Sequence, residues 1–138
     1  MRQATTELEI QTPGRALVEV TDEIVSWCEA QGVGEGLLTV FCRHTSASLL
    51  IQENADPSVR RDLIAFFDTI APEGDHYTHD AEGADDMPAH LRTALTQVQL
   101  SLPVLAGRPA LGTWQGIYLF EHRRAPHRRR LALHVIGG

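Results

Sequence analysis

Gly112–Ile136, GTWQGIYLFEHRRAPHRRRLALHVI, holds two β-type runs, Gly112–His122 and Arg129–Ile136, on either side of Ala125-Pro126-His127. Ile, Tyr, Phe and Val enrich the runs, and an Ala-Pro-His centre between them reads as a hairpin tip. The arginines of Arg123–Arg130 are then solvated tip residues, with capture of an anion as the other reading of so basic a segment. Working back, Gly107-Arg108-Pro109 is a turn that follows a further β run, Gln99–Leu105. Short strands joined by tight turns make antiparallel pairing the expected arrangement.

The N-terminal part repeats the pattern. Residues 3–11 alternate, with Thr6, Leu8 and Ile10 on one side and Glu7, Glu9 and Gln11 on the other, as in a half-buried strand. Pro13-Gly14 turns the chain into a second run, Arg15–Val20, and Gly36–His44 and Ser48–Glu53 are two more. Helices fall between the strands. Thr21 reads as an N-cap and Asp22 and Glu23 favour the positive end of a helix over 22–31, with Ile24, Val25 and Cys28 buried. Asp56-Pro57 opens a second helix with Val59, Leu63, Phe66, Phe67 and Ile70 inward, and Pro72-Glu73-Gly74 ends it. Pro88, after a cap at Asp86 or Met87, opens a third with Leu91, Leu95 and Val98 inward. With no repeat and no linker, the expectation is one α+β domain over 1–138: a mostly antiparallel sheet with three helices.

Bulk properties narrow the partners. The 138 residues carry 12 basic and 18 acidic side chains, a net charge of −6 that argues against nucleic-acid binding. No apolar run approaches the roughly 20 residues of a membrane span. MRQATTELEIQT lacks the apolar stretch of a signal peptide, and Cys28 and Cys42 lie in apolar sequence as reduced thiols. A cytoplasmic protein is expected. Every basic residue is Arg, so lysine Schiff-base chemistry is excluded.

Two places carry chemistry. Asp75–His90, DHYTHDAEGADDMPAH, sets His76, His79 and His90 among Asp75, Asp80, Glu82, Asp85 and Asp86 with no apolar face through most of it. Such a loop is either a solvated acidic loop or a source of metal ligands and proton carriers. His90 lies near a helix N-terminus, where the local potential keeps an imidazole neutral and ready to ligate. The second place is the strand Gly36–His44. Leu38, Val40 and Cys42 share a face, and period two adds His44 and then Ser46 to it. Polar groups at the end of an apolar strand face either line a pocket or are satisfied within the core. Glu53, on a strand dominated by Leu49, Leu50 and Ile51, and Gln115, on the face of Ile117 and Leu119, are further candidates. Asn54 reads as a turn residue.

Four motifs in order, RHTSASLLIQEN (43–54), Asp75-x-Tyr77-x-His79, Ala89-His90-Leu91 and LGTWQGIYLFEHR (111–123), resemble the YjbQ-like family over nearly the whole chain. Members of that family are described as secondary thiamine-phosphate synthases. The resemblance implies an antiparallel sheet curled towards a barrel, a homotrimer, and polar clefts that hold a metal or anion. Many relatives carry a second histidine at the position of Pro88, so here a carboxylate such as Asp75 or Asp86 takes that place.

The implied activity joins hydroxymethylpyrimidine pyrophosphate to thiazole phosphate with release of pyrophosphate, as a main or a side reaction. On this reading His44, His79 and His90 are metal ligands or acid/base groups and Asp75 orients one of them. Arg43, Thr45 and Ser46 hold a phosphate, while Glu53, Asn54 and Gln115 hold polar edges of the substrate. The metal is Zn²⁺ or Mg²⁺: imidazoles suit the first and pyrophosphate departure the second. A metal-dependent hydrolase of a phosphorylated small molecule and a non-catalytic trimeric small-ligand-binding protein are the alternatives.

Overall fold

Thr6, Leu8 and Ile10 do share the inward side of the first strand, β1 (Arg2–Thr12). In the computed structural model, which describes residues 1–138, the chain continues through β2 (Ala16–Glu19), α1 (Thr21–Ala30), β3 (Gly36–Cys42) and β4 (Ala47–Glu53). Two helices follow, α2 (Pro57–Ile70) and α3 (Asp86–Leu95), and then β5 (Gln99–Leu105), β6 (Arg108–Pro109), β7 (Gln115–Glu121) and β8 (His127–Gly137). The fold is α+β, with strands that all pair antiparallel in a curled, half-barrel arrangement of two sheets. One sheet has the order β1-β8-β3-β5-β6 and the other β2-β7-β4.

The two β runs around Ala125-Pro126-His127 are not a hairpin. β7 pairs with β2 and β4, whereas β8 pairs with β1 and β3. Residues 122–126 carry the chain from one sheet to the other, as do residues 13–15 and 43–46. Three such corners stack the sheets face to face, and the main core fills the space between them. Leu38, Val40, Leu49, Leu102, Ile117, Leu131, Leu133 and Val135 all lie there, closed at one side by Ile24 and Cys28 of α1. A second cluster joins Leu17, Tyr118 and Phe120 to Phe67 of α2. β7 is thus covered on both faces, which is why Gly116–Glu121 is buried throughout instead of alternating.

Three local expectations change. Phe66 and Ile70 of α2 are 56% and 44% exposed, because α2 meets the sheet only along the line of Leu63, Ile64 and Phe67. Leu95 of α3 is 60% exposed, and the buried face of that helix is Asp86, Pro88, Ala89 and Arg92. Buried Asp86 and Arg92 flank Pro88 and Ala89 on the face that orients α3. At α1 the cap position is Val20, and the hydroxyl of Thr21 instead donates to Glu19 (2.8 Å) and accepts the Ile117 N–H (2.9 Å). Asp56 caps α2 as expected, accepting the Ser58 N–H at 2.9 Å.

The corner between β7 and β8 encloses charge. Glu121 is fully buried; its carboxylate accepts the Thr12 hydroxyl at 2.6 Å and Arg129 Nε and Nη2 at 2.7 and 2.5 Å. Arg129 Nη2 also reaches Ser46 Oγ (3.0 Å) and the Ser46 carbonyl (3.2 Å). Burial opposes ionisation of Glu121, but Arg129 and Thr12 outweigh it and hold the carboxyl below its usual range. Removing one partner strands a buried charge, so Arg129→Ala is expected to cost about 3–5 kcal/mol in urea unfolding. Arg128→Ala, at the exposed neighbouring position, should change stability by under about 0.5 kcal/mol.

Candidate functional site

Helical spacing places Asp86 and His90, four residues apart, on one side of the first turns of α3. The loop before α3 brings His79 to the same point. His79 Nε2 lies 2.6 Å from Asp86 Oδ2, and His90 Nε2 lies 3.2 Å from that same oxygen. The other carboxylate oxygen is taken: Asp86 Oδ1 accepts Arg123 Nη1 at 2.8 Å. Arg123 also donates to Asp85 Oδ2 (3.0 Å) and to the Glu82 carbonyl (3.0 Å), so one guanidinium fastens the loop to the helix start. Asp86 is 2% exposed. Burial works against its charge, but the hydrogen bond from His79, the charge His90 carries when its ring is protonated, and the charge of Arg123 prevail and keep its carboxyl below the ordinary range. Burial works against Asp85 too, yet Arg123 and the Arg124 N–H bring it down to about 2.

The protons on His90 are constrained. Its Nδ1 is 2.9 Å from the Thr45 carbonyl, which only accepts, so Nδ1 carries hydrogen. In the neutral ring Nε2 is then a lone pair, and it faces a carboxylate oxygen 3.2 Å away. Two acceptors at that distance are stabilised by a proton or a cation between them. Two imidazole nitrogens and one carboxylate oxygen, all within 4.8 Å of one another, form a donor set of the kind that holds zinc-class ions. A carbonyl behind one imidazole and a guanidinium behind the carboxylate are the outer contacts such ligands use. The residues therefore fit a divalent metal.

The expected residues divide into three groups. His79 and His90 come together, with Asp86 supplying the carboxylate. His44 does not join them: its Nε2 accepts the Arg130 N–H at 2.8 Å, and it lines a cleft of about 610 Å³ with Phe41, Arg43, Thr45, His90, Ala94 and Val98. Burial first, then the charge of Arg129, lowers the pKa of His44 and keeps it neutral. Thr45 contributes its carbonyl, Ser46 is bound to Arg129, and Arg43 pairs with Glu7 at 2.6 Å. Glu53, Asn54 and Gln115 meet at the opposite end of β4 and β7, where Glu53 is paired with Gln115. Six residues of strand, about 20 Å, separate them from Ala47 and the histidines.

All three make hydrogen bonds that close local turns. Glu53 accepts the Ala55 and Asp56 N–H groups at 3.1 and 2.8 Å, Asn54 reaches the Gln115 carbonyl, and Gln115 accepts the Gly112 N–H at 2.8 Å. Asp75 is exposed and orients no histidine; Asp86, seven residues beyond His79, does so instead. Arg123 was expected at a solvated tip. Its position one step past Glu121 and His122, on a run that stays apolar up to Phe120, is the signal that it leaves the sheet beside the histidines.

The family description "UPF0047 protein YjbQ-like" matches residues 6–138. The chain belongs to that family. A UPF0047 protein of Synechocystis is 51% identical over 137 residues, covering 99% of this chain and 93% of that one. The UPF0047 protein YjbQ of Escherichia coli O157:H7 is 45% identical over 131 residues, covering 94% and 95%. Among solved structures, a YjbQ/UPF0047 family protein of Clostridium acetobutylicum superposes with a TM-score of 0.87 at 32% identity, covering 95% of this chain and 99% of that one. A hypothetical protein of Aeropyrum pernix gives 0.88 at 28%, covering 98% and 99%. No helix of the chain is long and apolar enough to cross a membrane.

In this YjbQ-like chain a second polar cluster lies behind the site. Ser48 Oγ is hydrogen-bonded to His122 Nε2 (2.8 Å) and Thr96 Oγ1 (2.6 Å), with Ser48 and His122 both buried. Burial, then the charge of Arg92, pulls His122 down to about 3. The unfolded chain therefore binds a proton between pH ~6.5 and ~3 that the native state does not, so this histidine stabilises fully above pH ~6.5 and loses that contribution as pH falls towards 3. Unfolding free energy should drop by up to about 1.4 kcal/mol per pH unit in that window from this group alone. His122→Gln should flatten the slope between pH ~6.5 and ~4.5, where carboxylates do not yet titrate; an unchanged slope would remove His122 as its source.

Proposed function

We propose that His79, Asp86 and His90 hold a divalent metal ion and that the chain is an enzyme acting on a small phosphorylated substrate. The observation that carries this is the pair of imidazole Nε2 atoms addressed to one carboxylate oxygen, with the His90 proton fixed on the far nitrogen by the Thr45 carbonyl. Zinc is favoured over magnesium by two imidazole donors. Such an ion supplies Lewis acidity towards a phosphoryl oxygen and acidifies a bound water. The protein's part is placement: Arg123 leaves Asp86 one free oxygen, and Thr45 aims the lone pair of His90. Asp85 and Asp86 against Arg123 leave the locale at −1, and a divalent ion makes it +1, a balance that suits an anionic substrate.

The reaction implied by the family resemblance is transfer of a hydroxymethylpyrimidine group from its pyrophosphate to thiazole phosphate. Hydrolysis of a phosphorylated small molecule is the second reading, and the imidazole-rich donor set favours it, since that set suits water activation better than pyrophosphate departure on Mg²⁺. A homotrimer is also proposed. Ile136, Leu37 and Pro103 are neighbours across three strands on the outer face of the larger sheet, and Leu37 and Leu105 there are 42% and 59% exposed.

Elemental analysis of the purified protein should give about one zinc-class ion per chain. His79→Ala and His90→Ala should lose it, Arg123→Ala should weaken it about 10–100-fold, and His44→Ala should keep it. Full metal in the His79 and His90 variants would sink the site. Turnover of the two thiamine precursors and of simple phosphomonoesters, with Zn²⁺ and with Mg²⁺, separates transfer from hydrolysis; metal without turnover of either would leave a binding protein. Light scattering at micromolar concentration should report three chains, and a stable monomer would contradict the trimer.

A further inference from the structure

Residues 72–84, between α2 and α3, belong to neither apolar cluster and, Tyr77 apart, are exposed. Two consecutive arginines of the corner between β7 and β8 clip the segment at its ends. Arg124 Nε donates to Glu73 Oε2 at 2.9 Å, and Arg123 Nη2 donates to the Glu82 carbonyl at 3.0 Å. Between the clips the backbone makes no hydrogen bond to a sheet or a helix. The Tyr77 hydroxyl donates to the Pro72 carbonyl (2.7 Å) and its ring centroid lies 4.0 Å from that of His76, contacts that stay inside the segment. His79 is the exception. Its Nε2, 2.6 Å from Asp86 Oδ2, makes the one side-chain hydrogen bond from residues 74–81 to the rest of the protein, and its ring stands edge-on to that of His90 at 5.3 Å.

We propose that residues 74–82 are a strap that opens and closes over the site of Asp86 and His90, hinged at Gly74 and Gly83 and latched through His79 alone. Gly83 has φ +106°, a region that side-chain-bearing residues avoid, and a Cβ at Gly74 would stand 2.5 Å from Nδ1 of the His76 ring. Both ends of the strap therefore use the conformational freedom of glycine. A segment with no core contacts opens at a cost set by its few bonds, and here the bond that matters is one imidazole to one carboxylate. Latched, the strap delivers the third donor of the set and covers that flank of the site. Released, it removes the donor and leaves Asp86 Oδ2 and His90 Nε2 facing solvent, so entry and exit at the site are gated. An ion held by all three donors favours the closed strap, because only that state offers the full set. Locking by an ion rests on the metal reading above; latching by His79 does not. Loading of the site is thereby displayed at the surface as the accessibility of the strap.

Chymotrypsin cleavage after Tyr77, followed by mass spectrometry on the full chain, reads the open population of the strap. Cleavage after Trp114, which is 63% exposed and outside the strap, serves as the internal reference for intact folding. A free peptide of residues 72–84 with the same substitution gives the rate of an unrestrained chain for each variant. Chelator-treated wild type should be cut at Tyr77 more slowly than its peptide, and saturating zinc should slow it by a further factor of about ten or more. His79→Ala should speed the cut about 10–100-fold, the worth of one hydrogen bond to a charged acceptor, and should abolish the effect of zinc with the Trp114 rate unchanged. His90→Ala keeps the latch but loses the ion, so it should behave as chelator-treated wild type does. A His79→Ala rate equal to that of wild type, or wild type cut as fast as its peptide, would overturn the strap. Zinc bound by elemental analysis with no change at Tyr77 would overturn the locking. Wild type that binds no zinc, together with fast cleavage of His79→Ala, supports the strap and refutes the metal.

Discussion

The buried pair of Glu121 and Arg129 is the interaction on which the rest of the structure hangs. It sits where β7 leaves one sheet and β8 enters the other, and it joins three corners at once. Thr12 at the end of β1 donates to Glu121, and Ser46, in the connection from β3 to β4, accepts from Arg129. Fixing Ser46 fixes the adjacent Thr45, whose carbonyl receives the Nδ1 proton of His90. A charge pair inside the fold thereby sets the tautomer of a histidine at its surface. Two full charges taken from water are costly, and here the cost is offset by hydrogen bonds to both carboxylate oxygens.

The second constraint is the single free oxygen of Asp86. Arg123 occupies the other oxygen, so two imidazoles converge on one atom and one of them faces it with a lone pair. A second proton on His90 turns that arrangement into an ion pair, and the proposed metal ion would turn it into a ligand set. The exposed loop before α3 is divided by its contacts. Asp85 and Asp86 are anchored by Arg123 and His79 is drawn to Asp86, while Asp75, His76 and Asp80 stay in solvent.

Much of this was legible in the residues. Alternation in residues 3–11, the Asp56-Pro57 helix start and the inward parity of Leu38, Val40 and Cys42 follow from local geometry alone, and all recur in the fold. His79 and His90 stood out because a loop rich in imidazoles serves no core. What local pattern does not carry is which sheet a strand joins. Ala-Pro-His between two β runs signals a turn, and a sheet-changing corner has the same composition as a hairpin tip. Arg123 and Arg129 are therefore withdrawn from solvent, since a corner buries what a tip exposes. Glu53, Asn54 and Gln115 are polar residues on or beside apolar strands, and the fold sets them at the end of β4 and β7 away from the histidines, where they close turns. Motif order brings residues near in the family pattern without saying at which end of a strand each one stands.

The state of the His90 ring connects corner, carbonyl, carboxylate and the proposed ion, and ¹⁵N NMR of the imidazole side chains reads it directly. The account predicts that His90 in metal-depleted protein carries hydrogen on Nδ1. On addition of zinc, the Nε2 resonances of His79 and His90 should move to metal-bound positions while those of His44 stay in place. A His90 protonated only on Nε2, or imidazole resonances of His79 and His90 that do not respond to zinc, would contradict it.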